Sequence, residues 1–211
     1  MELAAIAGLS AALLSAVDTA PYVRDTVRGS TVPHRGTWLV WSVLGVVAVE
    51  SQHADGARWS LVPLVVQASG TLLVLGLAVW LGTGGLARVD ALLIGVAAAG
   101  VAGWATIHEP VVATGCVIGA DLVAALMMVP KTWRDPHSET QATFVLAAAS
   151  GALAVAAVGD LSVRLLAYPA YFALVNALLA WVIGHRRRVR RVGVSTSGVS
   201  SEEGSREALV R

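Results

Sequence analysis

Charged residues are scarce in this chain. Asp, Glu, Lys and Arg make up 14% of its 211 residues, whereas 56% are apolar, and the mean hydropathy is +0.70. A soluble domain carries about 25% charged residues because its surface faces water. The 15 basic and 14 acidic residues leave a net charge of only +1, which excludes a nucleic-acid-binding module and a disordered chain. The composition therefore predicts an integral membrane protein with an all-α fold.

Motifs that carry chemistry are also lacking. Cys116 is the single cysteine, which excludes a disulfide scaffold and a multi-cysteine metal site. The sequence contains no Gly-x-Ser-x-Gly elbow, no phosphate-binding loop and no His-Glu-x-x-His motif. Two His/acid clusters, at 108–109 and 137–139, fall in different predicted loops, and neither has a second histidine at the spacing of a zinc site. We therefore expect no enzyme activity, no cofactor and no metal.

Long apolar runs are what the sequence has instead. A helix needs roughly 20 mostly apolar residues to cross a ~30 Å hydrocarbon core. The first run is predicted to stop where Asp18 and Pro21 introduce polarity and a missing backbone donor. Because Met1-Glu2 supplies no basic segment, this run is not expected to be a cleaved signal peptide. The seven predicted spans cover residues 3–20, 37–49, 59–81, 90–107, 110–129, 142–158 and 164–184.

The segment after Gly184 differs in character from the spans. An arginine-rich run at 186–191 is followed by a stretch rich in Ser, Gly and Glu that continues to residue 211. This composition offers too little apolar surface to offset the entropy of ordering. We therefore expect a membrane domain over 1–184 and a basic, then disordered, tail over 185–211. Basic clusters next to a spanning helix contact anionic lipid headgroups.

The basic residues also predict an orientation. With seven spans, all of them except Arg58 and Arg164 fall on one face of the membrane. Short loops rich in Lys and Arg stay on the cytoplasmic side. We therefore expect a multi-pass protein of the cell membrane with its N-terminus outside and its C-terminus in the cytoplasm.

An internal repeat organises the spans. Shifting the chain by 109 residues aligns two prolines, two aromatic residues and two amides, and it predicts one repeat over about 3–82, a linker helix over about 90–107 and a second repeat over about 110–184. Parallel three-helix repeats joined by one helix, a 3+1+3 arrangement, are a known transporter plan with the substrate site between the halves. The aligned pairs are Pro21 with Pro130, Trp59 with Tyr168, and Gln67 with Asn176.

The 3+1+3 arrangement, with a proline closing the first helix of each half, resembles the PQ-loop and SWEET superfamily of small-solute carriers. The family's Pro-Gln signature reads Pro21-Tyr22 and Pro130-Lys131 here. The resemblance implies that Gln67 and Asn176 face a central pocket and that the two prolines act as hinges. Three segments, at 28–33, 37–41 and 130–139, are more closely similar to a group of uncharacterised bacterial membrane proteins.

Asp18 and Asp121 lie in the interior of predicted spans, where ionisable groups are costly and mark function by default. Asp121 precedes Pro130 by nine residues, about 13 Å along a helix, which places it near the bilayer midplane. There it serves either a proton-linked role or a hydrogen bond that ties span five to a neighbour. Asp18 is expected to bond Thr19 or to pair with Arg24 at a helix end.

The function favoured by the sequence is a carrier of a small polar solute that works by alternating access and is either passive or proton-linked through Asp121. Gln67 and Asn176 would bind the solute, unless they only join helices, and Trp41 and Trp104 would stack on it, unless they only pack. The alternative is a scaffold or regulatory subunit that transports nothing. The expected partners are the lipid bilayer and the solute, with no nucleic acid, and a homo-oligomer is left open.

Overall fold

The structure is a computed structural model that describes residues 2–84, 88–106, 110–159 and 161–209. Within these ranges the chain is helical and contains no β-strand, with one isolated bridge between His34 and Thr83. The all-α prediction is therefore confirmed. The helices are α1 Glu2–Val27, α2 Arg35–Ala54, α3 Leu61–Leu81, α4 Arg88–Thr106, α5 Pro110–Arg134, α6 Gln141–Val158 and α7 Val163–Leu209, with a short 3-10 turn at Pro136–Ser138 before α6.

Among the described residues, five stretches are long and apolar enough to cross a membrane: Glu2–Val27, Leu61–Leu81, Thr114–Arg134, Gln141–Val158 and Leu165–Arg190. Helix α2 is not among them. It begins with Arg35 and its last turns carry Glu50, Ser51 and Gln52, which lower its hydropathy.

Helices α1 and α5 continue past the prolines that are predicted to close them. Pro21 lies inside α1 and Pro130 lies inside α5, so the expectation that each helix ends at its proline is wrong. A proline in a helix removes one backbone hydrogen bond. Packing offsets this loss in α1, because Tyr22 and Thr26, beyond the proline, are both buried.

Helices α1, α2 and α3 form one set and helices α5, α6 and α7 form another. In each set the last helix, α3 or α7, packs against the other two. The two sets meet where α1 packs on α6 and where α2 packs on α5, and α4 lies against α5.

Helix α1 has its apolar side chains on the outside of the bundle. The exposed face carries large aliphatic residues, whereas the buried face carries small and polar ones, including Ala11, Ser15 and Asp18. This distribution is the reverse of a soluble helix and is compatible with a membrane-embedded protein. The exposed aliphatic residues are Leu3, Ile6, Leu9, Leu13 and Val17.

Helix α7 does not end at Gly184. The guanidinium group of Arg186 lies 4.3 Å from the ring centre of Trp133 and donates to the Trp133 carbonyl. Arg187 donates to the carbonyl oxygens of Pro136 at 3.0 Å and Glu139 at 2.6 Å. The start of the arginine-rich run is therefore helical and bound to the ends of α5 and α6, where the sequence predicts a disordered tail.

Candidate functional site

A partly open cavity, lined by polar and apolar side chains, lies between α1, α2 and α3 on one side and α6 and α7 on the other. Its empty volume is about 370 Å³ including adjoining solvent space, and in this conformation it has room for about two water molecules. The lining residues are Ser15, Gln52, Ser60, Pro63, Leu64, Gln67, Ser150, Gly151, Ala154, Tyr168, Pro169 and Phe172.

Gln67 lies in the cavity wall, as the resemblance implies. Its side-chain oxygen is buried and has no hydrogen-bond partner. A buried acceptor without a partner costs about 1–3 kcal/mol. A donor group on a water molecule or a solute in the cavity would remove this cost.

The other predicted solute contacts lie elsewhere. Asn176 is not among the lining residues, and its amide nitrogen donates to the Phe172 carbonyl of its own helix at 2.8 Å. Trp41 packs edge-on against Trp38, with ring centres 5.3 Å apart. The side chain of Trp104 lies outside the described residues. Of the three residues whose side chains are described, Gln67, Asn176 and Trp41, only Gln67 lines the cavity.

Two serines that the sequence does not single out connect α1 to α6 at the cavity. The hydroxyl oxygens of Ser15 in α1 and Ser150 in α6 lie 2.7 Å apart, and Ser150 also donates to the Ala11 carbonyl at 2.8 Å. Single serines among alanines and glycines carry little signal in a sequence. Their pairing depends on which faces of α1 and α6 meet.

Asp121 is hydrogen-bonded rather than exposed to the cavity. It is buried, and its carboxylate accepts a 2.7 Å hydrogen bond from the Tyr171 hydroxyl. This bond joins α5 to α7, two helices of the same set. The geometry matches the alternative in which Asp121 ties span five to a neighbour.

A cluster of polar side chains closes the bundle at the end where α1 ends and α2 begins. Tyr22 donates to Glu139 at 3.0 Å, Trp38 donates to the Tyr22 oxygen at 3.1 Å, and Lys131 contacts Glu139 at 2.6 Å. We call Tyr22, Trp38, Lys131 and Glu139 the inner network. Tyr22 and Lys131 are the residues that follow the two signature prolines, so both positions converge on one carboxylate.

The carboxylate of Glu139 is the centre of this network. Burial raises the pKa of Glu139 above its ordinary 4.5, against the opposing effects of Lys131, Tyr22 and Arg187. Lys131 also donates to the carbonyl oxygens of Val32 and Ser138. A buried ion pair of this kind needs these additional hydrogen bonds to offset its desolvation.

Asp18 lies in the interior of α1 and not at a helix end. Its side chain is fully buried, and one carboxylate oxygen accepts from the Thr19 hydroxyl at 3.1 Å. The second oxygen has no hydrogen-bond partner. The expected bond with Thr19 is therefore present, whereas Arg24 pairs with Asp25 at 2.9 Å.

Comparison with protein-family models, with curated proteins and with solved structures finds no match to this chain. The resemblance to small-solute carriers therefore stays a prediction from the residues themselves.

Proposed function

We propose that the chain is a carrier for a small polar solute, working by alternating access between two parallel three-helix halves, α1–α3 and α5–α7, joined by α4. The observation that carries the proposal is the cavity between the halves, into which serine hydroxyls and the Gln67 amide are placed among apolar side chains, with the inner network buried at one end of the bundle. Substrate sites of transporters with parallel repeats lie in this position.

The helix neighbours support the repeat. Under the repeat, α5, α6 and α7 are the counterparts of α1, α2 and α3. Helix α1 packs on α6, and the counterparts of these two helices, α5 and α2, also pack on each other. Helix α3 packs against both α1 and α2, and its counterpart α7 packs against both α5 and α6.

Matching residues in the second and third helices also support the repeat. Thr37 of α2 donates to the Ala124 carbonyl of α5 at 3.2 Å, and Thr143 of α6 donates to the Asp18 carbonyl of α1 at 2.8 Å. Each threonine thus joins the second helix of one half to the first helix of the other. Three identities recur at a spacing of 106 residues: Thr37 with Thr143, Gly45 with Gly151, and Pro63 with Pro169.

This spacing accounts for the separate positions of the two amides. The prolines of the first helices, Pro21 and Pro130, are 109 residues apart, whereas the later helices repeat at 106. At a spacing of 106, Gln67 corresponds to Ala173 and not to Asn176. The two amides that line the cavity, those of Gln52 in α2 and Gln67 in α3, therefore both belong to the first half.

The lining residues favour an uncharged solute. Those described are serine, glutamine, tyrosine and apolar residues, with no ionisable acid or base other than the tyrosine phenol. A charged solute would be left without an opposite charge in a desolvated site. The hydroxyl groups and the Gln67 amide fit a small neutral molecule with its own donors and acceptors.

The position of the cavity along the helices indicates at which end of the bundle it is open. The cavity lies near the end of α2 and the starts of α3 and α7, away from the inner network. A second void of about 680 Å³ shares Ser60 with it and is also lined by Arg58 and Trp59. With the orientation that the basic residues predict, this state has its inner network closed on the cytoplasmic side.

A scaffold or regulatory subunit is the alternative, and the small size of the cavity favours it. Space for about two water molecules suffices to hydrate buried polar groups but not to hold a larger solute. The carrier proposal requires the cavity to widen during its cycle, whereas a scaffold requires no such motion.

Uptake into liposomes tests the proposal. We expect purified protein to accelerate entry of at least one member of a panel of radiolabelled neutral sugars, polyols and amino acids over protein-free vesicles. Gln67→Leu should raise KM for that solute about tenfold, the effect of losing one hydrogen bond of about 1.4 kcal/mol. Asn176→Leu is the matched control and should leave KM unchanged. No acceleration for any member would favour the scaffold.

A further inference from the structure

The contact between α1 and α6 carries a column of polar groups. Ser15, Asp18 and Tyr22 follow at i, i+3 and i+7, which places them on one face of α1. Ser15 lines the cavity and bonds Ser150, whereas Tyr22 belongs to the inner network. Asp18 therefore lies between the cavity and the inner network, within one turn of each.

The equivalent contact between α2 and α5 carries an aliphatic cluster beside the Thr37 bond to Ala124. The buried residues of this cluster include Leu44, Val47, Val117 and Ala120. The matched threonine bonds make Ala124 the counterpart of Asp18, and Ala124 is also buried. Packing of the two halves therefore does not require a carboxyl group at this depth. The presence of a buried carboxyl group at Asp18 has to have another reason.

Asp18 has no cation on the helices that pack along α1. Neither α3 nor α6 contains an Asp, Glu, Lys, Arg or His residue. On α1 itself, Arg24 pairs with Asp25. The nearest ionisable groups along the seam are those of the inner network, where Lys131 pairs with Glu139 and Tyr22 donates to it.

A buried carboxylate without a cation is costly, and such groups neutralise by binding a proton. The oxygen of Asp18 that has no partner in the structure is free to carry it. In a carrier whose two halves move against each other, a carboxyl group at their interface would be exposed to different sides in different states, as a coupling site must be.

We propose that Asp18 is a proton-binding site, exposed alternately to the cavity and to the inner side, and this proposal rests on the carrier function proposed above. With the inner network closed, a hydronium ion in the cavity gives one proton to Asp18 and becomes water. When the Tyr22, Lys131 and Glu139 contacts open, the carboxyl group gives that proton to a water molecule on the inner side. One proton then crosses per cycle.

Infrared spectroscopy of the protein in lipid bilayers tests this site without any solute. We expect wild-type protein at neutral pH to show the carbonyl stretch of a protonated carboxyl group, which disappears reversibly on alkalinisation. Asp18→Asn should remove the component of this band that Asp18 contributes, measured as the difference from the wild-type spectrum. Asp25→Asn, the same substitution at an ion-paired carboxylate on the same helix, should leave it in place.

A second variant keeps the test decisive if Asp18→Asn fails to fold. Thr19→Val removes the hydrogen bond to Asp18 and should shift the frequency of the band without deleting it. A spectrum that neither substitution changes, or a band that persists at every pH, would overturn the proposal. Because no solute is used, a failure of uptake in liposomes contradicts the carrier function alone, and an unchanged spectrum contradicts the proton site alone.

Discussion

At the scale of single residues, depth in the membrane does not determine the role of an acidic side chain. Asp121 is buried beside the Tyr171 hydroxyl, and both residues belong to helices of one half. Asp18 is buried between the halves and has an oxygen without a partner. The difference lies in which helix faces each carboxyl group, so Asp121 is proposed to position α5 on α7 and Asp18 to bind a proton.

The role of Asp121 as a tie predicts unequal effects for its two partners. Asp121→Asn keeps an acceptor for the Tyr171 hydroxyl and should change the free energy of unfolding by less than about 1 kcal/mol. Tyr171→Phe leaves the buried carboxyl group without its donor and should cost about 1–3 kcal/mol. Denaturant unfolding in detergent micelles measures both. A larger loss for Asp121→Asn than for Tyr171→Phe would show that the charge, and not the hydrogen bond, is what matters.

At the scale of helices, small residues determine how closely α6 approaches α7. A Cβ atom built on Gly151 of α6 would lie 2.8 Å from the backbone nitrogen of Ala173 in α7. In the first half, a Cβ on Gly45 of α2 would lie 3.2 Å from the Ala68 Cβ of α3. Glycine at these positions allows close approach of the helix backbones, more tightly in the second half.

This difference predicts the effect of adding one methyl group. Gly151→Ala should lower the free energy of unfolding by about 1–3 kcal/mol, because backbone atoms must move to accept the new atom. Gly76→Ala in α3 is the matched control, since a Cβ there has no neighbour within 4 Å. The control should be neutral or stabilising by up to about 1 kcal/mol. Equal losses for both variants would contradict the close packing of α6 on α7.

The inner network also acts between helices. It joins the ends of α1 and α5 to the start of α2 and to the segment just before α6. Lys131→Met leaves the buried Glu139 carboxylate without its cation and should cost about 3–5 kcal/mol. Adding Glu139→Gln removes the charge and should restore most of that loss. Unfolding of the single and double variants in micelles measures the difference, and equal stabilities would contradict the buried pair.

The contribution of Glu139 to the free energy of unfolding should fall as pH rises. Because burial raises the pKa of Glu139 above 4.5, the folded chain binds this proton more tightly than the unfolded chain. Its contribution to stability is complete below pH 4.5 and is lost as pH rises through the raised pKa. The loss should be steeper in Lys131→Met, where the opposing effect of the lysine is gone, and flat in the variant that also carries Glu139→Gln. Unfolding midpoints measured across pH test this order.

At the scale of the whole molecule, alternating access requires the halves to separate at the inner end. The hydroxyl oxygens of Thr31, before α2, and Thr140, before α6, lie 2.8 Å apart, and Thr140 also donates to Asp25 of α1. These bonds lie at the same end of the bundle as the inner network. Holding them closed should therefore stop transport without altering the cavity.

A reversible cross-link tests this requirement. In a Cys116→Ala background, Thr31→Cys and Thr140→Cys place two sulfur atoms within bonding reach. We expect uptake by the oxidised double variant to fall to the level of protein-free vesicles and to return after reduction. Each single cysteine variant should be insensitive to oxidant. Continued uptake by fully cross-linked protein would show that the inner end does not open during transport.

The sequence by itself determined the number and type of the helices and most of their boundaries. This is because the thickness of a bilayer sets the length of an apolar run, and backbone polar groups in lipid must be satisfied within a helix. The boundaries at Pro21, Pro130 and Gly184 were missed, since packing of Tyr22 and the bonds of Arg186 and Arg187 extend those helices.

Only the tertiary structure decided which polar side chains meet. Gln67 lines the cavity, whereas Asn176, which the sequence pairs with it, donates to a carbonyl of its own helix. The Ser15 and Ser150 pair, the convergence of Tyr22 and Lys131 on Glu139, and the isolation of Asp18 all depend on how each helix is rotated against its neighbour. Hydropathy constrains the length of a membrane helix, whereas its rotation depends on side-chain packing between helices far apart in sequence.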